Sequence, residues 1–234
     1  MNNNCITTYT GRHIDPLHPD PDMICIEDIA HALSLICRGN GQVKTFFSVS
    51  QHCINCAREA LARGYSRRVA FACLLHDASE CYLSDVPRPF KKTLSGYKEQ
   101  EKNLLDLIYQ KYLGSPLNAK EEQLLKEIDD AMLWFDLTHL LNEPQEREAP
   151  EIHITIDYTV GLSRKQKRNT WNCIASLPIE KINVREEELL QISNDFSFRM
   201  TDAKLGTCKR YEAWLVCLGI LAYSCQNTSR DSGV

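Results

Sequence analysis

An all-α fold with a C-terminal helical extension is predicted by three observations. Between residues 24 and 142 apolar side chains recur at helical spacing, and no stretch sustains a period-two alternation. The breaks between those stretches carry helix-stopping residues: Gly39-Asn40-Gly41, Gly64, Pro87-Arg88-Pro89, Gly114 and Pro144. The composition is globular, with 43% of the 234 residues hydrophobic and 25% charged, which suffices for one well-filled core. The expected organisation is a helical domain over 1–160 and an extension over 161–234.

The elements follow in chain order. Residues 1–23, rich in Pro, Asp, His and Thr, read as an irregular arm. A first helix is expected over 27–37, where Glu27 and Asp28 suit the positive end of its dipole. Ser48 can cap a second that runs to about 63. A third starts near Ser66, carries His76 and Asp77, and ends before Pro87. Leu104, Leu107 and Ile108 mark a fourth over 97–112, and a long fifth covers 118–141. Residues 152–156 alternate and fit a short strand or an extended strap. Beyond 160 come a basic hexad at 163–168, read as a solvated linker, two helices over 185–197 and 208–223, and a polar tail.

Bulk properties narrow the function classes. A net charge of −4 argues against a broad nucleic-acid surface. The longest apolar run, 213–225, has about 13 residues, too few for a bilayer crossing. Met1-Asn2-Asn3-Asn4 opens a polar segment without a leader pattern, so the expected location is cytoplasmic and the eleven cysteines are expected to be reduced. Cys53, Cys56, Cys73 and Cys81 fall on apolar stripes. Cys53 and Cys56 form a CxxC beside His52, but no second CxxC follows at zinc-site spacing, so a packing role is favoured.

His76-Asp77 is the most informative pair. It lies in an apolar run, where an ionised carboxylate needs a partner, and a divalent cation shared with the imidazole supplies one. His52 lies on the stripe of Val49, Cys53, Cys56, Ala57 and Ala60. On the long helix Leu125, Asp129, Met132 and Asp136 share a face, although a helical wheel alone separates Asp129 poorly from Asp130. Two imidazoles and two carboxylates from three helices form a mixed nitrogen and oxygen metal site.

The pattern His52 … His76-Asp77 … Asp129 resembles that of the HD-domain phosphohydrolase superfamily. Ser48-Val49-Ser50-Gln51-His52 and His76-Asp77-Ala78-Ser79-Glu80, followed by Ser84-Asp85-Val86-Pro87-Arg88-Pro89-Phe90-Lys91, are similar to blocks of its YfbR-like deoxynucleotidase branch. Tyr9-Thr10-Gly11 and the segment from Ile26 to Ser34 resemble related phage and bacterial HD hydrolases, phage dATP triphosphohydrolases among them. The resemblance spans about residues 9–142 and implies an HD-domain helical bundle. It also implies one divalent ion (Mn, Co, Mg, Zn or Fe) held by His52, His76, Asp77 and Asp129, with Ile128-Asp129 deciding between the two aspartates. Glu80 is implied to manage the proton of the attacking water or leaving group, Asp85 to line the pocket near the sugar, and Arg38 to hold phosphate. Asn40 and Lys91 are weaker candidates for substrate contact. Gly39 stands where that branch has a bulky aromatic, which implies a roomier pocket.

The expected activity is therefore hydrolysis of deoxynucleotides, with a 5'-deoxynucleotidase that releases phosphate from dNMPs placed first and a dNTP triphosphohydrolase second. A catalytically inactive nucleotide-binding sensor is the alternative of another class. The resemblance further implies a homo-oligomer, while the charge and the short apolar runs lead to the expectation of no nucleic-acid or membrane partner. Asp77→Ala is expected to abolish metal binding and turnover together, as read by metal titration and phosphate release.

Overall fold

The computed structural model describes residues 4–144 and 146–158. The predicted extension, with its basic hexad and two helices, lies outside the described residues. Helices dominate: α1 (Ile26–Leu35), α2 (Val49–Ala62), α3 (Arg67–Leu75), α4 (Glu80–Leu83), α5 (Arg88–Lys91), α6 (Tyr97–Leu113) and α7 (Ala119–Leu140). The expected all-α class holds for the described residues, apart from one small strand pair. That pair corrects the reading of 1–23 as wholly irregular: β1 (Ile6–Thr7) runs antiparallel to β2 (His13–Ile14).

The centre of the fold is α2. Eleven of its fourteen residues are buried, so it needs neighbours on almost every side. α3 packs against it most extensively, with α1 and α7 on other faces, and α3 in turn meets α6 and α7. The helix starts are fixed by side chains written into the sequence. Ser48 accepts from the Gln51 backbone while the Gln51 side chain accepts from the Ser48 N–H, a reciprocal capping box. Asn118 and Glu121 do the same for α7, and Ser66 caps α3. Gly114 ends α6 in a left-handed conformation at φ 81°, which a residue with a Cβ would resist.

Two helix ends differ from expectation. α1 stops at Leu35 because the chain turns extended at Ile36 and Cys37, where Cys37 bridges Ser48. The helix expected to carry His76 stops at Leu75; residues 76–79 form tight turns before α4 begins at Glu80. Asp28, assigned to the α1 dipole, is buried and accepts from the Thr10 N–H and hydroxyl at 2.7 and 3.0 Å, which ties the arm down.

Residues 151–158 are an extended strap without strand pairing among the described residues. Its anchor is the buried Glu59 carboxylate, which takes the His153 backbone N–H at 2.9 Å, the His153 ring at 3.1 Å and Arg63 Nε at 2.8 Å. Burial acts to raise the Glu59 pKa, but bonds from Arg63 and His153 outweigh it and hold the pKa below the usual value. A depressed carboxylate stabilises the fold above its unfolded pKa, and that contribution is lost as pH falls through the native value. Glu59→Gln is therefore expected to lower stability near neutral pH by about 1–3 kcal/mol. Urea titrations at a series of pH values should show the gap to wild type closing as acid protonates native Glu59.

Candidate metal centre

Four segments bring the site together. α2 delivers His52 one turn past its capping box, so the Ser48-x-x-Gln51-His52 motif is the device that sets where the imidazole falls. The break after α3 delivers His76 and Asp77. α7 delivers Asp129, and the chain between α1 and α2 delivers Arg38, whose backbone N–H is pinned to the Phe47 carbonyl at 2.8 Å.

The donor atoms converge. His52 Nε2 lies 3.1 Å from Asp129 Oδ1, and His76 Nε2 lies 3.6 Å from the same oxygen and 3.3 Å from Asp77 Oδ1. The far sides of both rings are anchored. His52 Nδ1 donates to Asp136 Oδ2 at 2.9 Å, and His76 Nδ1 donates to the Cys73 carbonyl at 2.7 Å. The second acceptor is available because α3 ends at Leu75 instead of continuing through Asp77. A neutral imidazole has one N–H, and at each ring the anchor takes it. Each Nε2 then turns a lone pair toward carboxylate oxygen, and His76 Nε2 is buried with no hydrogen bond among the described residues. A cation between these atoms removes the conflict. Donors that share one ion at about 2.0–2.3 Å sit roughly 3–3.6 Å apart, as these do. His52, Cys56 and His76 offer donor atoms all within 4.8 Å of one another, as do Cys53, His76 and Asp77, so these groups can hold a metal ion.

The carboxylates favour positive charge at this centre, whether a proton or a cation carries it. Burial opposes a charged His76, yet Asp77, Cys53 and the neighbouring Asp129 outweigh it and hold its pKa well above the ordinary value. Burial would raise Asp129, but the two histidines pull it well below the carboxylate range. Asp136 is likewise pulled down, against burial, by His52, Arg38 and Tyr158. Asp130 faces outward instead, paired with Lys126 and with Arg88 at 3.1 Å, which separates it from Asp129 where the helical wheel could not.

A cavity of about 560 Å³ opens beside this centre, lined by Arg38, Asn40, Asp77, Glu80, Asp85, Arg88, Asp129 and Asp136 among others. Arg38 is largely buried and spans Asp77 and Asp136 at 3.4 Å each. Glu80 is buried, and its Oε2 has no hydrogen bond among the described residues. Burial, and then the charges of Asp77 and Asp85, raise its pKa well above the carboxylate range against Lys91 and Arg38. Of the predicted substrate contacts, Arg38, Asp85 and Asn40 line the cavity. Lys91 does not: it binds Glu101 at 2.5 Å and lies 3.5 Å from Glu80, because α5 turns it toward α6. Gly39 and Asn40 both adopt positive φ, near 59° and 53°. A Cβ on Gly39 would meet Leu141 Cδ2 at 3.4 Å and Val43 Cγ1 at 3.6 Å, which is ordinary contact, so it is the positive φ that favours glycine here.

Sequence reasoning left out three participants. Asp136 is visible in the sequence as the second polar residue on that face of α7, two turns beyond Asp129, but nothing local marks it as the His52 anchor. Arg88 reaches Asp129 Oδ2 at 2.6 Å from a half-exposed position. Tyr158, at the end of the strap, donates to Asp136 Oδ1 at 3.1 Å and stacks on His139. Asp136→Ala removes the group that fixes the His52 ring, so metal affinity measured by calorimetry is expected to fall by roughly 10–100-fold while His76 and Asp77 retain partial binding.

No family profile matches the chain. It is 38% identical over 140 residues to the uncharacterized protein YfdR of Escherichia coli K12, across 55% of this chain and 76% of YfdR. It is 36% identical over 127 residues to an uncharacterized protein of Rhodobacter capsulatus, across 51% of this chain and 64% of that protein. With more than two thirds of YfdR covered at that identity, the chain belongs to the family of Escherichia coli YfdR.

Proposed function

We propose that this chain is an HD-type, metal-dependent phosphohydrolase of deoxynucleotides that releases phosphate from dNMPs. The observation that carries the reading is the pair of anchored imidazoles, each presenting Nε2 to Asp129 beside a cavity of about 560 Å³. His52, His76, Asp77 and Asp129 would hold one divalent ion. Such an ion supplies Lewis acidity, stabilising charge on a phosphoryl oxygen and making water acidic enough to attack near neutral pH.

The remaining steps belong to the protein's own side chains. The lining holds six carboxyl groups, Asp77, Glu80, Asp85, Asp129, Asp136 and Glu143, against two guanidinium groups, Arg38 and Arg88, and the aspartates alone outnumber the arginines. An anionic substrate is repelled by that balance until a cation binds, so metal and substrate are expected to bind in order. Arg38 offers a planar fork of donors to phosphate oxygens, and its two 3.4 Å carboxylate contacts are long enough to leave donors for a ligand. Glu80, whose pKa burial and its acidic neighbours raise well above the carboxylate range, is suited to pass a proton to the departing sugar oxygen.

Two basic side chains bear on the phosphate chain length. Lys91 is turned to Glu101 and lies near Glu80, so it is not offered to a long phosphate chain, which favours the monoester. Arg88 at the cavity wall supports the second reading, a dNTP triphosphohydrolase. A screen of dNMPs, NMPs and dNTPs with Mn²⁺, Co²⁺ or Mg²⁺ separates them: phosphate from dNMPs supports the first reading and triphosphate from dNTPs the second. Tight nucleotide binding without turnover would replace both with a sensor. Glu80→Gln is expected to keep metal bound while kcat falls by about 10² or more. Because the protonated form acts, the wild-type rate should fall as pH rises through the Glu80 pKa, and the variant should lack that limb. Near-normal turnover in Glu80→Gln would remove Glu80 from the reaction.

A further inference from the structure

The phosphohydrolase chemistry leaves the buried thiols Cys53 and Cys56 unused, although both sit against its imidazoles. Cys56 follows His52 by one turn on the buried face of α2, and its Sγ lies 3.5 Å from His52 Nε2. A nitrogen at about 2.0–2.1 Å and a sulfur at about 2.3 Å from one tetrahedral ion stand about 3.5 Å apart. His76 completes this set, since its buried Nε2 makes no hydrogen bond among the described residues and its donor atom lies within 4.8 Å of the other two. The sequence alone favours packing for this CxxC, and packing requires only apolar neighbours. Two imidazoles facing one thiol are a donor set instead.

We infer that the centre holds thiophilic divalent cations of the zinc and cadmium class through a sulfur-containing donor set, His52, Cys56 and His76, with Cys56 an additional ligand beside the carboxylates. This rests on the metal reading of His52 and His76 and refines which ions the site takes. On binding, the Cys56 S–H bond breaks, its proton leaves to solvent and its electron pair forms the metal–sulfur bond, with no change in oxidation state. A thiolate ligand shifts preference toward zinc, cadmium and cobalt and away from magnesium and manganese, which favour oxygen.

Cobalt reports the sulfur directly. The reduced, full-length chain is stripped of metal and titrated with Co²⁺, and its absorption is compared with those of Cys56→Ser and Cys53→Ser. Wild type and Cys53→Ser should show visible d–d bands together with intense near-ultraviolet sulfur-to-cobalt charge transfer. Cys56→Ser should retain the visible bands, lose the charge-transfer band, and lose Cd²⁺ affinity relative to Mn²⁺ by at least tenfold, since even an outer-sphere partner is worth roughly that much. Cys56→Ala gives the same reading if the serine disturbs folding. A wild-type cobalt spectrum without charge transfer, an unchanged band in Cys56→Ser, or loss of the band in Cys53→Ser would overturn the Cys56 assignment while leaving the metal reading intact. Failure of wild type to bind cobalt at all would overturn both.

Discussion

The Asp129 carboxylate is the constraint around which the described structure is organised. It sits between two imidazoles on different segments, and its second oxygen takes Arg88. A carboxylate this enclosed costs several kcal/mol unless opposite charge meets it, so α2, α7 and the turn after α3 are held in register by one electrostatic requirement. Arg38 extends the same balance to Asp77 and Asp136. The helices pack closely because α2 is buried along most of its length, but the orientation of their polar residues follows from this centre.

Rigidity reaches the centre from its periphery. The anchors of the two rings differ in kind. Asp136 is a side chain, itself held by Arg38 and Tyr158, whereas the Cys73 carbonyl is backbone released by a helix end. The strap links the first anchor to Glu59 through His153 at its other end. A site whose outer partners are fixed this way presents its Nε2 atoms in one geometry, and that preorganisation is what metal binding requires.

The cavity beside the centre combines strong negative charge with two arginines at different depths, Arg38 enclosed and Arg88 half-exposed. Under the proposed function, that arrangement would couple metal occupancy to anion binding. The sharp turn at Gly39 and Asn40 brings Arg38 to the floor, and Leu141 and Val43 occupy the space behind it. The roominess implied by a glycine in place of an aromatic is therefore partly taken up by the end of α7 and its own loop.

Most of the helices and the Ser48 cap were legible in the chain because each is encoded within a few residues, whereas His52, His76, Asp77 and Asp129 stood out as candidates through the family pattern they resemble. Ser48 with Gln51, and Asn118 with Glu121, specify helix starts by local hydrogen bonds, and apolar spacing specifies the buried face. The early end of α3, the role of Asp136, the pairing of Lys91 and the outward turn of Asp130 were decided only by tertiary packing. Asp136, Lys91 and Asp130 each have a partner between 10 and 98 positions away, Lys91 with Glu101 and Arg38 with Asp136 marking the two limits. Local periodicity states which side of a helix is buried. Which carboxylate a buried imidazole meets there is fixed by how neighbouring helices cross, and no short window of sequence contains that information.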